Sequence, residues 1–141
     1  MSQDAPLLPL GLICQGGAHR HFSAAAALIS TAVAAGREAH LFLTHEALFA
    51  YLSGDVEDLP SGFGAAYGEI YDDAKESGRL GDPLELIGAA KGRGKVRIYG
   101  CSASIKLRQG YGNDALGTLD GIIGHSSFLA WAQGWQLLFL G

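Results

Sequence analysis

"VRIYGCSAS", residues 96–104, sets the reading of the whole chain. Val96–Cys101 reads as a buried strand, and Ser102 at once opens a short helical pattern, "SASIKLRQG". The other cysteine, Cys14, ends a second strand-like run, Leu8–Cys14, just before the Gly16–Gly17 turn. Two thiols at two strand ends leave four options: chance, a disulfide, a metal site or a reactive centre.

Working outward, strands alternate with helices. Ser23 is the expected N-cap of "AAAALISTAVAA", with Gly36 as its stop. "AHLFLT" (39–44) is the second strand, and Thr44 caps "HEALFAYL", whose Glu46 suits a positive helix start. Residues 54–81 read as a variable insertion: a loop, then a helix over "AAYGEIYDDAKES" that stops at Gly78. Asp82, Pro83 and Glu85 form a strong start signal for a helix that frays into the Gly92–Gly94 loop. "KVRIYGC" is the third strand. "YGNDALGTLD" reads as a loop or weak helical turn, "GIIG" as a fourth strand, "SSFLAWAQG" as the last helix and "WQLLFLG" as the closing strand. This alternation predicts one α/β domain over residues 1–141 with a five-stranded parallel sheet. The expected strand order is the flavodoxin-like 2-1-3-4-5. It places strand one beside strand three, with both thiols as neighbours at the topological switch point.

Composition narrows the function. A chain of 141 residues buries roughly 68–70% of its unfolded surface, enough for a core without metal or disulfides. The net charge of -4 weighs against nucleic acid, and the one basic cluster, "KGRGK" (91–95), reads as a solvated loop. No apolar run approaches the roughly 18 residues of a membrane span. The N-terminus lacks a basic leader, and Ile13 stands before Cys14 where a lipoprotein site needs a small residue. A cytoplasmic location with free thiols is therefore expected.

At the carboxyl edge, the helix starting at Ser102 aims free N–H groups at Cys101, which favours thiolate, the nucleophilic form. Ser102 and Ser104 can donate hydrogen bonds to it. The plain alternative is an inert, packed cysteine. Cys14 either resolves an oxidised Cys101 or merely packs. His19, His21, His45 and His125 all follow strands and project from the same edge, whereas His40 starts a strand at the other end. A nearby histidine can hold a proton for a thiol. The spacing matches no zinc motif, so no metal is expected. "GGAHRH" makes Gly16 and Gly17 a candidate anion cradle at a helix start. Phe128, Trp131 and Trp135 read as core, and an exposed apolar face there would mean oligomerisation.

"VRIYGCSAS", together with "LDGIIGHSSFLAWAQGWQLLFLG", the opening strand, the glycine turn and the alanine-rich helix, resembles the DsrE/DsrF-like family of sulfur-relay proteins. The resemblance covers all but residues 54–81. It implies a three-layer sandwich assembled as a homo-oligomer, trimer or hexamer. It also implies that Cys101 takes up sulfane sulfur as a persulfide and passes it to a partner. No cofactor is required. Donor and acceptor would be proteins or low-molecular-weight persulfides, with Arg108 or a histidine assisting. Two rivals stand beside this reading: a non-catalytic module for a small anion or nucleotide, and a Cys14–Cys101 redox switch.

Overall fold

The computed structural model describes residues 7–56, 65–107 and 111–141. Its centre is an all-parallel sheet of β1 (Leu10–Cys14), β2 (Ala39–Leu43), β3 (Val96–Cys101), β4 (Gly121–Ile123) and β5 (Gln136–Leu140). The strand order is β4-β3-β2-β1-β5. This corrects the expected 2-1-3-4-5: β2, not β1, is the neighbour of β3.

Handedness explains where the helices lie. The chain steps from β1 to β2 to β3 to β4 in one direction, so right-handed crossovers put every connection on one face. That face carries α1 (His19–Ala34), α2 (His45–Ser53), α3 (Ala65–Glu76), α4 (Pro83–Arg93) and the short turns α5 (Ser102–Ile105) and α6 (Asn113–Leu116). Phe22 and Ile29 of α1, Leu48 of α2 and Ile87 of α4 pack there on Leu12, Leu41, Leu43 and Ile98 of the sheet. Each fully buried Leu, Ile or Phe contributes about 1.5–3 kcal/mol through surface removed from water. The last step, β4 to β5, runs back across the whole sheet. The same handedness then requires α7 (His125–Trp131) to lie on the opposite face. Phe128 and Ala132 do pack there, against Phe42 and Cys101.

The second face is therefore thinly covered. Parallel sheets normally hide both faces, yet Leu137 and Phe139 of β5 are 39% and 62% exposed, and Leu129 and Trp131 on α7 are about half exposed.

Local signals set some helix ends: Thr44 stands at the N-cap of α2 as expected, but its side chain makes no cap hydrogen bond, and Gly54 closes that helix with φ +73°. Asp82 accepts a hydrogen bond from Leu84 N–H at 3.0 Å, and Pro83 occupies the first position of α4. That helix continues to Arg93 rather than fraying at Gly92. Helix α1 begins at His19, four residues before the expected cap Ser23. Ala18 N–H donates to His21 Nδ1 at 3.2 Å, so an imidazole does the capping. Among the described residues no helix is long and apolar enough to cross a membrane.

Candidate functional site

The carboxyl edge of the sheet holds the chemistry. At its β3–β4 boundary the chain leaves β3 toward α5 on one face and leaves β4 toward α7 on the other. Divergence of two adjacent connections marks a topological switch point, the usual ligand position in such sheets. Cys101 ends β3, and His125 begins α7 directly after β4. The Cys101 Sγ lies 3.7 Å from His125 Nδ1. The switch point is thus at β3/β4 rather than between β1 and β3, and it brings a thiol and an imidazole together.

The thiol itself is 0% exposed, and the expected support from the helix start is corrected: Cys101 stands at the N-cap of α5, but its side chain makes no cap hydrogen bond and faces the α7 side of the sheet. Phe42 and Phe128 pack beside it, and the two rings stack at 4.8 Å. The His125 ring meets Phe42 edge-on at 5.1 Å, yet His125 as a residue is exposed. A surface side chain therefore stands in contact with a buried sulfur. Ser102 is half-buried, and its Oγ would lie 3.6 Å from a Cβ built on Gly124, the residue before His125.

Cys14 belongs elsewhere. Side chains alternate along a strand, and Cys14 faces the α1 side while Cys101 faces the α7 side. With β2 between them, their backbones stand about 10 Å apart, from two strand spacings of about 4.8 Å. A disulfide needs Cα atoms about 4.4–6.8 Å apart. The expected neighbourhood of the thiols is thereby corrected, and both are free. The Cys14 thiol donates to the Gly16 carbonyl at 3.5 Å, and burial pushes its pKa up to about 12.

The glycine turn is filled from within. A Cβ on Gly16 would meet the His21 ring at 2.2 Å, and one on Gly17 would meet the Glu46 carbonyl oxygen at 2.8 Å. His21 is pushed down from its ordinary value by burial and by Arg20, against a raising effect from Glu46. A neutral ring is what accepting from Ala18 N–H requires. His19 turns away to the loop before α4, with Nε2 at 3.4 Å from the Gly81 carbonyl and its ring edge-on to Tyr71. Arg108 lies outside the described residues.

His45 and Ser104 meet on the α1 side of the edge. Buried Ser104 Oγ accepts from His45 N–H at 2.9 Å. His45 has φ +45°, a left-handed backbone uncommon outside glycine, which asparagine, aspartate and histidine adopt more readily than other residues. The pair borders a cavity of about 580 Å³. Its wall also includes Glu46, Asp55, Gln15 and Tyr111. Gly17 lines it too, so three residues singled out in the sequence, Gly17, His45 and Ser104, meet at this cavity; sequence reading did not join them, because Asp55 and Tyr111 come from segments without a periodic pattern. Glu46 looked like nothing more than a helix-start charge.

His40, expected at the opposite end, is the second residue of β2. It is stacked on Trp135 at 4.3 Å, and among the described residues its buried Nε2 has no hydrogen-bond partner, with Glu38 Oε2 at 4.0 Å. Burial pushes it down first of all; Lys95 and Arg97 add to this, and Glu38 opposes it.

The chain matches no family model and no curated protein.

Proposed function

We propose that the protein is a sulfur-relay protein that carries sulfane sulfur on Cys101. The observation that carries this reading is the Cys101 Sγ–His125 Nδ1 approach of 3.7 Å at the switch point of the sheet. The likeness of "VRIYGCSAS" to the DsrE/DsrF-like family supports the same residue. Cys14, protonated and hydrogen-bonded on the other face, is a packing residue in this account.

In the proposed step, His125 Nδ1 takes the proton from the Cys101 thiol. The thiolate attacks the outer sulfur of a donor persulfide, R–S–SH. The donor S–S bond breaks, R–S⁻ leaves and takes the proton from His125, and Cys101–S–SH remains. An acceptor thiolate then attacks the outer sulfur and expels Cys101 as thiolate. One S–S bond forms for each that breaks, so no external oxidant is consumed. Thiolate attack at sulfur needs room behind Sγ, which the closed arrangement lacks. The contacting group is an exposed side chain, and such side chains change rotamer in picoseconds to nanoseconds. Rotation of His125 away from the sulfur is the opening motion in this reading.

The proposal extends to assembly. The exposed Leu129, Trp131, Leu137 and Phe139 lie on the thin α7 face, and burial of that face between copies fits a homo-oligomer, a trimer or hexamer.

The test is whole-protein mass spectrometry after exposure to inorganic polysulfide. Wild type and Cys14→Ser gain the mass of one sulfur, and Cys101→Ser gains none. Equal gain by Cys101→Ser would refute the assignment.

A further inference from the structure

The two outer edges of the sheet are built differently. Strand β4 is three residues long and follows directly on Asp120. Short strands and nearby charges are how proteins block unwanted pairing at an edge. Strand β5, "QLLFL", has five residues with no charge and no proline, and its register with β1 runs without a bulge. Among the described residues no strand pairs with its outer side.

The hydrogen bonds of β5 show which of its backbone groups face outward. Gln136 N–H donates to the Pro9 carbonyl at 3.0 Å, and the Leu140 carbonyl accepts from Gln15 N–H at 2.9 Å, both on the β1 side. Backbone groups alternate sides along a strand. Leu138 therefore serves β1 as well, and the N–H and C=O groups of Leu137 and Phe139 point away from the sheet. Side chains alternate between faces too. Leu137 lies opposite Gly11, where a Cβ would meet Leu137 at 2.8 Å and Trp135 at 3.2 Å, so Leu137 and Phe139 stand on the α7 side. Both are exposed, whereas Leu138 packs on the core of the α1 side. The two residues with outward backbone groups are thus the two with uncovered apolar side chains.

Such a strand is its own complement. About a two-fold axis through Leu138, an antiparallel second copy sets Leu137 against the partner's Phe139, and Phe139 against the partner's Leu137. Each of these is a pair that exchanges both N–H and C=O groups, and each matches one exposed apolar side chain with another. No like charges meet in this register, because β5 has none.

We propose that β5 is an interaction edge at which two copies of this chain pair antiparallel, joining their five-stranded sheets into one. This inference rests on the assembly reading above, to which it gives a place and a symmetry, and not on the sulfur chemistry. A closed trimer holds no two-fold contact, so the edge makes a dimer or a hexamer built from dimers.

The experiment is sedimentation over a concentration series, joined to cross-linking in a Cys101→Ser background. Wild type is expected to sediment as a dimer or a multiple of one. Phe139→Pro removes an N–H that β1 does not use, a change that edge strands tolerate. It should weaken self-association by roughly tenfold or more, as expected for lost hydrogen bonds. Facing residues of a non-hydrogen-bonded antiparallel pair have Cα atoms about 4.5 Å apart, within disulfide range. Leu138→Cys should therefore form a linked dimer under mild oxidation. Gln136→Cys should not, since this register sets it opposite the partner's Leu140. A wild type that stays monomeric up to about millimolar concentration ends this proposal and the assembly reading together. An oligomer that Phe139→Pro leaves unchanged, or that Leu138→Cys does not link, ends the edge pairing alone. Equal linking through Gln136→Cys overturns the register. Wild-type sedimentation and the Leu138→Cys link need no proline variant to fold.

Discussion

In the Cys101→Ser variant, Cys14 is the one remaining thiol, and its reactivity can be worked out beforehand. Burial raises it from 9.0 to about 12. At about pH 8 that difference leaves roughly a thousandfold less thiolate than in the unfolded chain. Only thiolate attacks an alkylating reagent, so modification of native Cys14 by iodoacetamide should be at least a thousandfold slower than in urea. Restricted access lowers it further. Mass spectrometry of timed samples at matched pH gives both rates. Native modification within about tenfold of the unfolded rate would refute the reasoning, since Cys14 would then be open and ionisable. The same rise has a thermodynamic face. Its folded value exceeds its unfolded one, so its contribution is complete below about pH 9 and is lost as pH rises toward 12. Cys14→Ala should lose that alkaline decline in stability.

Phe128→Ala removes a fully buried ring stacked on Phe42, and should cost about 3–5 kcal/mol; calorimetry should show a drop in Tm on the order of 10 °C. Folding pushes His40 below its ordinary value, so stability should fall as pH drops below about 6.5. His40→Phe should flatten that acid limb in thermal melts, with a residual slope from His21, and an unchanged slope would remove His40 from the account. Phe139→Lys places a charge on the exposed α7 face and should convert the proposed oligomer to monomer by light scattering; a wild type that is already monomeric would end the assembly proposal.

The elements were legible because their signals are local. Asp82 and Pro83 start α4, Gly36 and Gly78 adopt φ of +77° and +74° at helix ends, and Cys101 closes a strand that leads into Ser102. Strand order was not legible. Right-handed crossovers constrain each step equally whether the chain reverses after its second strand or after its fourth. One trace of the answer was present: "AHLFL" is apolar but for His40, as suits a strand covered on both faces, whereas the expected order put it at an edge; all five residues are buried. The start of α1 was misread because a histidine ring, not the hydroxyl of Ser23, serves the cap. Of the candidate site, the pairing of Cys101 with His125 came within reach of the sequence. Cys101 ends one strand and His125 follows the next, and adjacent parallel strands carry their ends to one edge. The separation of Cys14 depended on strand order, which no short-range pattern encodes.

Peptide mapping of the polysulfide-treated protein bears most directly on the proposed chemistry. The added sulfur should sit on the fragment that contains Cys101, with none on the fragment that contains Cys14. His125→Phe, which keeps a ring beside the thiol but has no nitrogen to take its proton, should load at least tenfold more slowly. Sulfur on Cys14, or loading of Cys101 at an unchanged rate without His125, would contradict the thiol–imidazole centre.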